Sequence, residues 1–300
     1  MNHNVSPLTN SSSSSFVKKT ILDDPYAYIT KMDPLLRHEY YYILNKIDKG
    51  WITERDIELV KFLFVHRWLT LSQIGKLFFL DSEREATVRN RTRKLIKYGL
   101  IRSVQWTSHS NTKENKPSLY EIGSSGADIL KYKFGVFLGH RDPRNPKPTT
   151  MLFRMRYIAT NELYAQMKEN FDLTFFEFHP VHELKEEKQV PTAQYVLRNP
   201  KGKELSFILI CYRDDEKWVK TLRHQAQFYK NHLETENNTI LVIQVSTEEK
   251  AILASKVLEQ EKVLDKTWFV TDEDLFNDEM KINQSFFYFE EGRKIYYNLN

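Results

Sequence analysis

Three helix-start signals follow one another closely: Thr53-x-x-Asp56, Thr70-x-x-Gln73 and Ser82-x-x-Glu85. In each, a side-chain oxygen can accept the third backbone N–H of a helix while the residue at that position reaches back to the cap. Gly99 closes the run, since glycine enters the left-handed conformation that ends a helix at no steric cost. The strand LIRSVQW, the polar loop TSHSNTKENKPS and the strand LYEIG then read as a hairpin, and a further helix starts near Gly126. This order constrains the segment strongly.

Three short capped helices followed by a hairpin predict a winged helix-turn-helix over residues 26–139, with the polar loop as the wing. An aromatic-rich helix, PLLRHEYYYILNKI, is expected to lead it from about residue 33 to 49. Tyr40, Tyr41 and Tyr42 there read as a packing surface, because no metal-binding histidine pair accompanies them as a tyrosine-nucleophile relaxase would require. Residues 1–25, with serines at 11–15, read as a disordered tail. HRDPRNPKPTT, residues 140–150, reads as a linker.

Charge singles out one of these helices. The net charge of the 300-residue chain is only +4, yet between Arg84 and Arg102 seven Lys/Arg residues meet a single acid, Glu85. At 100° per residue, Val88, Thr92, Leu95 and Ile96 share one face. Asn90, Arg93, Lys94 and Lys97 lie opposite, flanked by Arg89 and Arg91. Arginine can make two hydrogen bonds to guanine and asparagine two to adenine, so this face suits a DNA major groove. Lys97 is better placed for phosphate, and Arg84 stands where helix N–H groups could meet the backbone. The wing adds His109, Asn111, Lys113 and Lys116. The expected DNA contacts are therefore Arg84, Arg89, Asn90, Arg91, Arg93, Lys94, Lys97, Lys113 and Lys116. With ~5 to 7 phosphate contacts, affinity should fall with salt at a log–log slope of about −5 to −6.

Beyond the linker the pattern is αβββαβαβ, one mixed sheet with helices packed on it, over residues 151–300. The whole chain is thus expected to be α+β. Its segment KQVPTAQYVLRNPKGKELSFILICYRDD, residues 188–215, reads as a hairpin whose second strand is buried on both faces.

The stretches ERDIELVKFLFVHRWLTLSQIGKLFF, RTRKLIKYGLI and YEIGSSGADIL resemble the replication-relaxation family of plasmid and mobile-element proteins. So does the helix pattern Lys220-x-Leu222-x-x-Gln225-x-x-x-Tyr229. The resemblance covers about residues 50–280 and implies a winged helix joined to a restriction-endonuclease-like domain, acting in plasmid replication, relaxation, transfer or transcription control. In that family the first hairpin strand usually opens on Pro-Asp and the second carries an acid. This chain keeps Pro191 but has Thr192 next, and its second strand offers no acid before Asp214 and Asp215. A magnesium site needs converging carboxylates, so the domain is expected to keep the scaffold without the cleavage. The alternative is a divergent metal-dependent nuclease or nicking accessory using Glu162, Asp214 or Asp215, and Lys217 or Lys220. A third reading is a transcription factor whose C-terminal domain senses a small ligand.

Other chemistries find little material. His179 and His182 are three apart beside Pro180, not the helical pair of a zinc protease. With nine glycines there is no phosphate-cradling loop, and Cys211, the single cysteine, reads as an inert core thiol. No cofactor is expected. The expected partners are double-stranded DNA, a second copy of the chain, and a replication, transfer or transcription protein. The longest apolar run is far short of the ~20 residues of a membrane span. With no signal-like N-terminus, the expected location is the cytoplasm.

Overall fold

The computed structural model describes residues 23–79, 85–110, 112, 116–184, 186–199, 201–215, 217–235, 238–277 and 280–297. The N-terminal half runs β1 (Ala27–Met32), α1 (Tyr40–Asp48), α2 (Glu54–His66), β2 (Leu69–Thr70), α3 (Leu71–Phe78), α4 (Glu85–Lys97), β3 (Ile101–Ser108), β4 (Leu119–Ile122) and α5 (Ser124–Phe134). Its strands form one sheet in the order β1-β3-β4-β2.

The predicted caps form. The Asp56 carboxylate accepts from the Thr53 backbone N–H at 2.7 Å and from its hydroxyl at 2.8 Å, at the start of α2. At the start of α3, Thr70 Oγ1 accepts from Gln73 N–H while Gln73 Oε1 accepts from Thr70 N–H. The third signal, at Ser82, lies outside the described residues. Gly99 takes φ +66°, and a Cβ there would stand 2.3 Å from the Leu36 carbonyl oxygen. The position therefore demands glycine twice, for its backbone angle and for the approach of the segment before α1.

That segment corrects the sequence reading. The leading helix begins at Tyr40 rather than near residue 33. Residues ahead of it are tied down in other ways: Asp33 N–H donates to the Ser103 carbonyl, Asp33 Oδ2 accepts from Ser103 N–H, and Arg37 pairs with Asp128 at 2.9 Å. Pro34 cannot donate to a helix in any case. β1, which the sequence reading lacked, pairs antiparallel with β3. Of the tyrosine run, Tyr40 packs edge-on against Tyr132 of α5, with ring centroids 5.5 Å apart. Tyr41 is 82% exposed, and α1 is anchored by Ile43 instead.

The second half contains α6 (Met151–Asn170), β5 (Asp172–Phe178), β6 (His182–Leu184), β7 (Glu187–Gln189), β8 (Ala193–Arg198), β9 (Glu204–Cys211), α7 (Trp218–Thr235), β10 (Thr239–Val245), α8 (Glu248–Gln260), β11 (Thr267–Thr271), α9 (Asp272–Leu275), β12 (Phe287–Glu290) and β13 (Arg293–Tyr296). A seven-stranded mixed sheet runs β13-β12-β11-β10-β9-β8-β5. The strands β9, β10 and β11 are parallel, joined through α7 and α8, while β8 and β5 continue antiparallel on one side. Alternation along β9 explains the layers: Ile208 and Ile210 face the α7/α8 core, whereas Phe207 and Leu209 join the core beneath α6.

α6 belongs to both halves. Trp68, Val104, Trp106 and Leu119 pack in one cluster with Met151, Met155, Tyr157 and Ile158 of α6 and with Cys211 of β9. Residues 140–150 run close along this seam. Arg144 forks between Asp128 at 2.6 Å and Asp142 at 2.7 Å, and Arg141 donates to the Phe64 carbonyl. Among the described residues no helix is long and apolar enough to cross a membrane.

Candidate nucleic-acid interface

α4 is held by what its inner face buries. Val88, Thr92 and Leu95 are buried and Ile96 packs against the same core, as the periodicity predicts. Thr92 also donates its hydroxyl to the Val88 carbonyl, which removes a polar group from the apolar contact. Orienting the helix about its axis falls to one arginine. Arg91 donates through Nε to Asp56 Oδ1 at 2.9 Å, through Nη2 to the other Asp56 oxygen, and through Nη2 to the Trp51 carbonyl at 3.0 Å.

Arg91, expected as a DNA contact, is engaged with Asp56 of α2. Its guanidinium is turned inward and spent on α2. Burial pushes the Asp56 carboxyl up, but the hydrogen bonds from Arg91 and Thr53 outweigh burial and hold it below its ordinary value. The same bonds to Asp56 raise Arg91, so the pair stays charged at neutral pH. Asp56 closes the α2 cap and fixes α4 with one carboxylate.

The outer face carries Asn90, Arg93, Lys94 and Lys97, all exposed. Among the described residues none of these four side chains has a hydrogen-bond or ion-pair partner. Arg89 is exposed too but reaches back to Glu85 at 2.5 Å, an i,i+4 pair of the kind that contributes little and exchanges readily for a phosphate. Lys116 sits 5.5 Å from the Trp106 ring centroid, at the base of the hairpin loop. Arg84 and Lys113, the remaining expected contacts, lie outside the described residues, as does Asn111. His109 is exposed and stacks on Tyr28 of β1, with ring centroids 4.2 Å apart.

The sequence reading missed what stands on either side of α4. On one side Lys94, Lys97 and Arg91 line a recess with Trp51 and Tyr98, and Lys46 lies 3.8 Å from the Trp51 ring centroid. Trp51, half exposed beside these cations, is an aromatic platform that a base or sugar could stack on. On the other side a groove of about 930 Å³ separates α4 from α6, with Arg89 and Arg93 on one wall and Glu162 and Glu169 on the other. The one available signal was position: Trp51 precedes the Thr53 cap and faces the helix that this cap orients.

The acids expected to serve a metal do not assemble. Glu162 is buried and already saturated: Oε1 accepts from Lys76 at 2.5 Å and from Gln166 at 3.0 Å, and Oε2 accepts from Gln73 at 3.1 Å. Asp214 is half exposed and stands 3.5 Å from Lys250, sharing no partner with Glu162. Thr192, just ahead of β8, uses its hydroxyl to accept from Cys211 N–H at 2.9 Å. It thereby completes the β8–β9 register just outside the ladder. His179 bonds Tyr157 and His182 bonds Gln194, two separate arrangements. Among the described residues no cluster of three His, Cys, Asp or Glu side chains could hold a metal ion. Burial raises the Cys211 thiol, which suits a core residue. No family model, curated protein or solved structure matches the chain.

Proposed function

We propose that this chain is a sequence-specific double-stranded DNA-binding protein that reads the major groove with the outer face of α4. What supports the reading most is the combination on one helix: a buried apolar face, an inward arginine strap, and four unpaired outward side chains of which three are cations. Free cations on a rigid helix suit phosphate and guanine, and Asn90 beside them suits adenine. In this reading α2, α3, α4 and the β3–β4 hairpin are a winged helix-turn-helix, and the seven-stranded half is a restriction-endonuclease-like scaffold without cleavage. In the same reading the DNA belongs to a plasmid or mobile element, as the resemblance to replication-relaxation proteins suggests, with replication, transfer or transcription as the output. A symmetrical dimer would read an inverted repeat.

Selection of bound duplexes from a randomised pool tests this. The parent chain should enrich a defined motif. Arg93→Ala with Lys94→Ala should abolish enrichment, and Asn90→Ala should relax one position while leaving the rest of the motif. Equal enrichment of the same motif by all three proteins would end the α4 assignment.

A further inference from the structure

A second basic site lies at the seam between the two halves, away from α4. It begins with the backbone. Arg67 follows the last residue of α2 at φ +60° and ψ −55°, a conformation that side-chain-bearing residues rarely adopt. The turn is closed by Trp68 N–H donating to the His66 carbonyl at 2.7 Å, a γ-turn of the strained, positive-φ kind. Asn161 of α6 locks it from the far side, donating to the carbonyls of both His66 and Trp68. Strain of this kind persists only where surrounding structure enforces it, and it concentrates at ligand sites.

The consequence is the placement of the Arg67 guanidinium, 4.5 Å from the Trp68 ring centroid at the wall of a cavity of about 370 Å³. Five Lys/Arg side chains line that cavity against two carboxylates. Neither carboxylate is available to Arg67 or Arg141. Glu121 is shared among Arg102, Arg154 and the Trp68 indole N–H, and Asp142 is taken by Arg144 outside the lining. Among the described residues no carboxylate pairs with Arg67 or Arg141. Arg154 is nine-tenths buried, and its Nε–H has no partner.

We propose that this cavity binds a small organic anion, with a phosphate or carboxylate head against Arg67 and Arg141 and an apolar or aromatic body along Ile29, Leu63 and Trp68. The volume lies within the range of small-ligand pockets and is too small for a protein segment. Arginine forks match both head groups, and the largely hydrocarbon remainder of the wall suits the body. The site stands independently of the DNA reading.

Thermal melting of the full chain tests it, with phenyl phosphate, inorganic phosphate and benzoate as probes and sodium chloride at matched ionic strength as the control. Phenyl phosphate should raise the melting temperature by a few degrees and saturate in the millimolar range. Inorganic phosphate should do less, and benzoate decides whether a carboxylate serves as well as a phosphate. Arg67→Gly relieves the positive φ and Arg141→Gln leaves the Glu121 network whole, so both should fold and both should lose the shift. Arg198→Ala, an exposed cation paired with Glu204 on the β8–β9 hairpin, should keep it. The proposal is overturned if sodium chloride reproduces the shift, if none of the three probes shifts the parent chain, or if the shift survives in both Arg67→Gly and Arg141→Gln. Protection by duplex DNA that vanishes in those variants, with no response to the three probes, would reassign the cavity to a DNA phosphate.

Discussion

At the scale of single residues, two buried polar groups, His66 and Asn161, tie the halves together. His66 is buried against Phe62, with ring centroids 3.5 Å apart, and its Nδ1 shares a hydrogen bond with Asn161 Oδ1 at 2.8 Å. Burial is the main cause that pushes its imidazole down to about 3, from an ordinary 6.5. The folded protein therefore refuses a proton that the unfolded chain accepts. Its contribution to stability is complete above pH 6.5 and is lost progressively as pH falls from 6.5 towards 3. Denaturant melts at pH 7 and pH 5 should show the parent chain losing stability over that interval, and His66→Gln losing clearly less. A variant with the same pH dependence as the parent would remove His66 as the source. Asp56 acts in a different window, because its lowered carboxyl is protonated only below 3.8.

At the scale of elements, legibility in the sequence followed the locality of the cause. The caps at Thr53 and Thr70, the stop at Gly99 and the strand Thr239–Val245 depend on neighbours in the chain, and their patterns were readable. The buried stripe of α4 was readable for the same reason. Arg91 was not, because nothing local separates an arginine that straps α2 from one that reaches outward. Only the position of Asp56, 35 residues away, decides it. β1 and the true start of α1 were hidden likewise, since both are set by bonds to Ser103, Ser125 and Asp128. α6 showed an apolar side but carries buried Arg154, Asn161 and Glu162 on the others. Their partners lie in the first half, so their polarity made them look solvent-facing. The cavity at Arg67 has the same explanation, for its cations come from four separate stretches of chain.

At the scale of the whole molecule, α6 is packed on two sides and supplies core to both sheets. Neither half keeps its apolar surface covered without it. Deeper in the second half, Arg213 and Asp272 form a fully buried ion pair at 3.0 Å, where removal of one partner typically costs about 3–5 kcal/mol. The shared helix predicts that the chain unfolds as one unit. Tryptophan fluorescence and far-UV circular dichroism should give coincident transitions, and Asp272→Ala should lower both together. Two separated transitions, with only one moved by the substitution, would show halves that fold independently.

If the outer face of α4 meets DNA, the salt dependence of duplex binding reveals it without knowledge of the target sequence. With Arg91 spent on Asp56, the cations left on that face are Arg89, Arg93, Lys94 and Lys97, fewer than the sequence alone suggested. These four should contribute about −3.5 to the log–log slope for a mixed-sequence duplex measured by fluorescence anisotropy. Replacing Arg93, Lys94 and Lys97 together with alanine should flatten that slope by about 2.5 to 3, whereas Arg198→Ala should leave it unchanged. A triple variant that binds duplex DNA with the parent's slope would contradict the account.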